Sequence, residues 1–157
     1  MDLLNQIRTN INIKVNIGII GLGFVGNAIS KKFSLNHKIY TYDIIAERSN
    51  SNLEKIVKNC SVVFLCLPTP STFDGKCELN YIFSTIKELS HYGYCQTCVI
   101  KSTVIPGTTE SINKKYPKIK TIHNPEFLRE RSAVEDFDTQ TRIILGGKKN
   151  YTKLVAK

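Results

Sequence analysis

The sequence predicts an α/β fold: a doubly wound, mainly parallel sheet of about six strands with helices on both faces. Three observations predict it. Short apolar runs alternate with segments whose apolar residues recur at helical spacing. The run Ser61 to Leu67 is almost wholly apolar, as a strand covered on both faces must be. The run Val15 to Ile20 leads directly into Gly21-Leu22-Gly23-Phe24-Val25-Gly26, a strand-to-helix turn with glycines spaced G-x-G-x-x-G.

Taken in order, residues 1–12 read as a leader without a motif, with one helical turn around Leu3, Leu4 and Ile7. The first strand covers about 14–20. Phe24, Ala28, Ile29 and Phe33 then mark a helix over about 24–35. Lys38 to Tyr42 forms the second strand, ending at Asp43. Asn52 caps a short helix that carries Leu53, Ile56 and Val57 on one face. The third strand stops at Pro68-Thr69-Pro70, where proline ends ladder pairing. Ile82, Phe83, Ile86 and Leu89 mark the next helix, and Thr97 to Thr103 the fourth strand. A short helix follows Pro106-Gly107. Ile119 to Ile122 is the fifth strand, Arg129 to Phe137 a helix, and Arg142 to Leu145 a sixth strand ending at Gly146-Gly147. Residues 13–147 therefore form one domain, and residues 148–157 a basic tail.

Composition narrows the function. At 157 residues the chain is one domain's worth, and no apolar run reaches the length of a membrane span. The N-terminus does not resemble a secretory signal, so the sequence reads as cytoplasmic. The net charge of +9 comes from scattered basic residues, the densest being the pairs Lys114-Lys115 and Lys148-Lys149. That pattern argues against nucleic acid or membrane as a partner and suits attraction of a small anionic ligand. Five cysteines form no even disulfide framework. Cys95-Gln96-Thr97-Cys98 leads into a strand rather than opening a helix, and no fourth zinc ligand accompanies it, so redox and metal roles are not assigned.

The glycine spacing carries specific chemistry. Gly21 permits the tight turn, Gly23 lets the backbone approach a pyrophosphate, and Gly26 lets the helix pack closely on the strand with its N-terminus aimed at the phosphates. Asp43 lies about 20 residues on, where a carboxylate accepts from ribose hydroxyls. The sequence thus predicts a Rossmann-like dinucleotide site. In an open parallel sheet ligands sit beyond the carboxyl ends of the strands. Each unusual stretch falls at such an end: the glycines, Asp43, Pro68-Thr69-Pro70, Ser102-Thr103 and Asn124-Pro125-Glu126.

Together these stretches resemble the N-terminal domain of the UDP-glucose/GDP-mannose dehydrogenase family, over about residues 13–147. The carriers are Gly21 to Gly26, Tyr42-Asp43-Ile44, Cys66-Leu67-Pro68-Thr69-Pro70, Lys101-Ser102-Thr103-Val104 with Pro106-Gly107-Thr108-Thr109, and Asn124-Pro125-Glu126-Phe127-Leu128-Arg129-Glu130. Ser132 to Phe137 and Arg142 to Gly146 continue the match. The variant is similar to the UDP-glucose branch, although GDP-mannose enzymes carry similar blocks.

The resemblance implies NAD as cofactor and a UDP- or GDP-sugar as substrate. Gly21, Gly23, Phe24, Val25 and Gly26 would hold the pyrophosphate, Asp43 the adenosine ribose, and Pro68 and Thr69 the cofactor cleft, while Arg48 would soften a preference against NADP. Thr103 would stand by the nicotinamide and bond a water or substrate oxygen. Glu126 would orient or activate water, and Glu130 would contact both ligands. Phe127, Leu128 and Arg129 would cradle the sugar. A helix over 126–130 would place Glu126 and Glu130 on one face. The same residues also suit plainer roles, Thr103 at a strand end and the two glutamates at a helix start.

The resemblance also implies what this sequence does not hold. The family's catalytic cysteine lies in a G-G-x-C-F-P-K-D-like block of a later domain, with a lysine and an asparagine on a connecting helix. Cys60, Cys66, Cys77, Cys95 and Cys98 stand in other contexts. The segment from Ile44 to Asn59 is shorter than usual, and Arg131 stands where many members have glycine. The expectation is an NAD-binding domain that does not complete the oxidation alone, or one whose missing half comes from a second chain or from sequence beyond Lys157. The alternative is a non-catalytic nucleotide-binding or interaction module that kept the fold.

Overall fold

The computed structural model describes residues 14–156; the leader expected over residues 1–12 lies outside them. Five strands form one sheet: β1 Asn16–Ile20, β2 Lys38–Tyr42, β3 Val62–Leu65, β4 Thr97–Ile100 and β5 Lys120–His123. Their spatial order is β2-β1-β3-β4-β5, and every neighbouring pair is parallel. The chain runs outward from β1 to β2, then returns across β1 to begin β3. Strand order therefore reverses between β1 and β3, the switch point at which such sheets open a ligand crevice.

Helices cover both faces. α1 Phe24–Phe33, α5 Ala133–Thr139 and α6 Lys149–Val155 lie on one side. There Ile17, Ile19, Phe64, Val99 and Ile122 of the sheet meet Ile29, Phe33, Phe137, Tyr151 and Val155. α2 Leu53–Asn59, α3 Asn80–His91 and α4 Thr108–Lys115 lie on the other. Here Ile20, Val63, Leu65, Cys98 and Ile100 meet Leu53, Ile56, Ile82, Ile86, Leu89 and Ile112. Alternate residues of each strand serve opposite faces, which is why apolar runs without alternation encode these strands. Gly18 is the exception that admits α2: a Cβ there would stand 2.7 Å from Ile56 Cγ2.

Local signals account for the helix starts. Asn52 caps α2, its Oδ1 accepting from Lys55 N at 2.9 Å. Gly107, in the left-handed region at φ 88°, turns the chain into α4. Residues 149–155 of the basic tail form α6.

The sixth strand is not formed. Only Gly146 pairs with β5, exchanging both N–H···O bonds with His123 at 2.8 and 2.7 Å. The next bonded pair of a longer ladder would set Ile144 opposite Pro125, which has no N–H to donate, and the Ile144 carbonyl accepts instead from Asn124 Nδ2 at 2.8 Å. Leu145 is half-buried against the core, but Ile143 and Ile144 remain exposed, so little burial draws the rest of the segment onto the edge of the sheet.

Candidate functional site

A cavity of about 640 Å³ opens along the carboxyl ends of the strands, within the size range of small-ligand sites. Its centre is the glycine loop. Gly21 has φ 90°, and a Cβ there would run into the Cys66 carbonyl oxygen. A Cβ on Gly26 would overlap the Gly21 carbonyl oxygen, so this glycine brings α1 against the loop. Gly23 differs. Its φ is −68°, and a Cβ would meet nothing within 4 Å. The free chain does not need a glycine there, and the space over it is what a close-lying pyrophosphate would fill. α1 has no side-chain cap, and helical geometry leaves its first N–H groups without acceptors, facing that space.

One end of the cavity is built by β2. Asp43 accepts from Leu22 N at 2.6 Å through Oδ2 and from Ile45 N at 2.9 Å through Oδ1. Its carboxylate is thereby fixed beside the loop with lone pairs to spare. Ile44, Ile45 and Arg48 continue this wall, and Tyr81, Ser84, Thr85 and Glu88 of α3 form the opposite one.

The other end is built by the exits of β3, β4 and β5. Pro68 and Thr69 line it, together with Cys66, Lys101, Ser102, Thr103 and Glu126. Ser102 joins the two central exits: its Oγ accepts from Leu67 N at 2.9 Å and donates to Leu67 O at 2.6 Å. Thr103 is thereby held exposed at the mouth. Glu126 is half-buried and lines the cavity, and its Oε2 accepts from Leu128 N at 2.6 Å, while Oε1 has no hydrogen bond among the described residues.

Lys101 is the residue that motif reading passed over, although it stands inside a quoted block. It is 4% exposed, at the end of an apolar strand, and donates from Nζ to Asn124 Oδ1 at 3.1 Å. Burial pulls its pKa below the ordinary lysine value, and the neighbouring Cys66 and Glu126 act against that shift. Burial also pushes the Cys66 thiol up to about 12, so it carries no charge at neutral pH. Lysine is rarely buried without a partner ion. Among the described residues the ion pairs are Lys32–Asp138, Lys76–Asp74 and Arg129–Asp136, so Lys101 and Glu126 share a cavity without pairing. The signal available beforehand was a charged residue closing an apolar strand next to Ser102-Thr103.

The structure thus brings Gly21, Gly23, Phe24, Val25, Asp43, Pro68, Thr69, Thr103 and Glu126 around one cavity. Gly26 lies directly behind it. The expected helix over 126–130 is not formed: residues 124–129 are irregular, and Glu130 opens a 3-10 turn over Glu130–Ser132. Glu126 and Glu130 therefore do not share a helical face. Glu130 and Phe127 are exposed, Leu128 is half-buried, and none of the three lines the cavity. Arg129 turns away to Asp136, with Nη2 to Oδ1 at 2.7 Å and Nε to Oδ2 at 3.1 Å. That guanidinium holds the Asp136 carboxyl well below the usual carboxylate range.

The cysteines stay apart from this chemistry. All five are free; Cys60 and Cys98 are buried and Cys95 is exposed. Among the described residues no group of three His, Cys, Asp or Glu side chains could hold a metal ion, and no helix is long and apolar enough to cross a membrane.

Residues 46–157 match the model of the UDP-glucose/GDP-mannose dehydrogenase family, NAD binding domain. The chain belongs to that family. Its cofactor is NAD. The glycine loop and Asp43 precede the matched stretch, and the cavity geometry joins them to it. Over 84% of its length the chain is 30% identical to the UDP-glucose 6-dehydrogenase AglM of Haloferax volcanii, covering 41% of that protein. Over 57% of its length it is 39% identical to the UDP-glucose 6-dehydrogenase of Rickettsia bellii, covering 22% of it. The solved UDP-glucose dehydrogenase of Pyrobaculum islandicum superposes with a TM-score of 0.80 at 25% identity, over 93% of this chain and 44% of that one. The chain therefore spans less than half the length of these relatives.

Proposed function

We propose that this chain is the cofactor-binding half of a nucleotide-sugar 6-dehydrogenase of the UDP-glucose type. One observation carries the reading: a single cavity runs from Asp43, over the open space at Gly23, to Thr103 and Glu126. Asp43 and Thr103 flank three strand intervals, about 14 Å at the usual strand spacing. That is a suitable span for a dinucleotide lying across the loop.

The loop amides of Gly23, Phe24 and Val25 would hold the pyrophosphate, and Asp43 the adenosine ribose. Pro68 and Thr69 would shape the cleft between. NAD, when bound, supplies a hydride acceptor. Thr103 would bond the substrate hydroxyl or a water at the mouth, and Glu126 Oε1 would take its proton, Oε2 being held by Leu128 N. Phe127 to Glu130 would contact the sugar only from outside the cavity wall.

Oxidation beyond the aldehyde needs a nucleophile, and none of the five cysteines is assigned that role. Cys60 and Cys98 are buried, and burial raises the Cys60 thiol to about 12. The full reaction would draw its nucleophile from a second chain or from residues outside this sequence. Calorimetric titration of the 157-residue chain with NAD, and with NADP for comparison, tests the reading. Saturable binding that favours NAD supports it. A folded chain that binds neither favours an interaction module.

A further inference from the structure

We infer that Lys101 sets the redox preference of the bound cofactor: its buried ammonium disfavours the charged nicotinamide ring of NAD+ relative to the neutral ring of NADH, and Glu126 opposes it. The inference rests on the cofactor reading above. With the ribose at Asp43 on β2 and the pyrophosphate at the loop after β1, the nicotinamide half falls over the exits of β3 and β4. Lys101 is the first residue beyond β4 and lines that end of the cavity.

Three facts make its charge effective. It is 4% exposed, so water screens it little. The ammonium's single hydrogen bond among the described residues goes to a neutral group, Asn124 Oδ1 at 3.1 Å. Asn124 is in turn held by donating Nδ2 to Ile144 O at 2.8 Å, which fixes the carboxamide oxygen toward the lysine. Glu126 is the other ionised group at this end, and it does not pair with Lys101. Desolvating an unpaired ammonium is costly, and an apolar side chain of similar length would avoid that cost. A cavity that discriminates between the two ring charges gives the ammonium a use.

The consequence favours oxidation of the substrate. Hydride acceptance brings one proton and two electrons and removes the ring's charge. A site that destabilises the charged ring therefore draws the hydride toward the cofactor. A tenfold preference for NADH raises the potential of the bound two-electron couple by about 30 mV.

The test compares dissociation constants for NAD+ by calorimetry and NADH by fluorescence, on the whole chain, for the wild type, Lys101→Met and Glu126→Gln. The two ligands differ only in the nicotinamide ring, so a general loosening of the site cancels in their ratio. The wild type is expected to favour NADH. Lys101→Met should lower Kd(NAD+)/Kd(NADH) by roughly five- to tenfold, the order expected for a partly opposed charge at an effective dielectric of about 20. Glu126→Gln should raise the ratio. Ratios within twofold of wild type in both variants, or shifts in the same direction, overturn the inference and leave the cofactor reading intact. If Lys101→Met does not fold, Glu126→Gln decides alone, and an unchanged ratio overturns it. Failure of the folded wild type to bind either form removes the cofactor reading and the inference together.

Discussion

Asp43 Oδ2 accepts from the backbone N–H of Leu22 at 2.6 Å, across 21 residues of sequence. The bond ties the end of β2 to the glycine loop, so the group that would read the ribose also sets the loop that would read the pyrophosphate. Asp43→Ala removes both functions and leaves the Leu22 and Ile45 N–H groups without their acceptor. Affinity for NAD should fall by tenfold or more, about 1.4 kcal/mol per decade, while the circular dichroism of the folded chain persists. Unchanged affinity by calorimetry would remove Asp43 from the site.

The glycines of one motif should respond in opposite ways. Gly23→Ala places its methyl in open space at φ −68°, so the urea midpoint should move by less than about 1 kcal/mol equivalent. NAD affinity should nevertheless drop at least tenfold, because the methyl occupies the approach to the pyrophosphate. Gly26→Ala should instead destabilise by roughly 3 kcal/mol, since its methyl meets the Gly21 carbonyl oxygen rather than a movable side chain. A Gly23→Ala chain with full affinity would count against a dinucleotide on this loop.

Thr121, on β5, is fully buried, and its Oγ1 has no partner among the described residues. Its backbone is satisfied through Asn113, with bonds of 2.9 and 2.8 Å. Thr121→Val exchanges the hydroxyl for a methyl of the same shape. The substitution should stabilise the fold by about 1 kcal/mol, the order of the desolvation it relieves. Urea denaturation checks it, and a destabilised variant would show that the hydroxyl has a partner.

Lys101 also predicts a dependence of stability on pH. Burial holds its folded pKa below the ordinary lysine value, with Cys66 and Glu126 opposing the shift. Between the folded and unfolded pKa values the unfolded chain binds the extra proton, so stability rises with pH across that window. Lys101→Met removes the contribution. The stability difference between wild type and variant, measured by urea denaturation at pH 7 and again near pH 10, should shift toward the wild type at the higher pH. A difference independent of pH would mean that the lysine keeps its ordinary proton affinity.

Local chemistry is what one reads from a sequence, and here it carried far. The glycine spacing, Asp43 at its offset, the Asn52 cap and the apolar runs are each decided within a few residues of the chain, so strands, helices and the dinucleotide loop were legible. The segment 142–145 has the composition of a strand, yet the Asn124 side chain takes the Ile144 carbonyl and the ladder stops at Gly146. Arg129 and Glu130 belong to a specific motif, yet Asp136, seven residues beyond Arg129, captures the guanidinium, and the chain enters a 3-10 turn rather than a helix from Glu126.

The sequence by itself determined the order of elements, the parallel sheet and the central loop of the site, because periodicity and glycine conformations are local properties. Only the tertiary structure decided the walls. α3 brings Tyr81, Ser84, Thr85 and Glu88 to the cavity that Arg48 also lines, and β4 and β5 place Lys101 and Glu126 at one end without pairing them. Those neighbours are far apart in sequence, and whether a charge is buried beside a ligand or solvated depends on what packs around it.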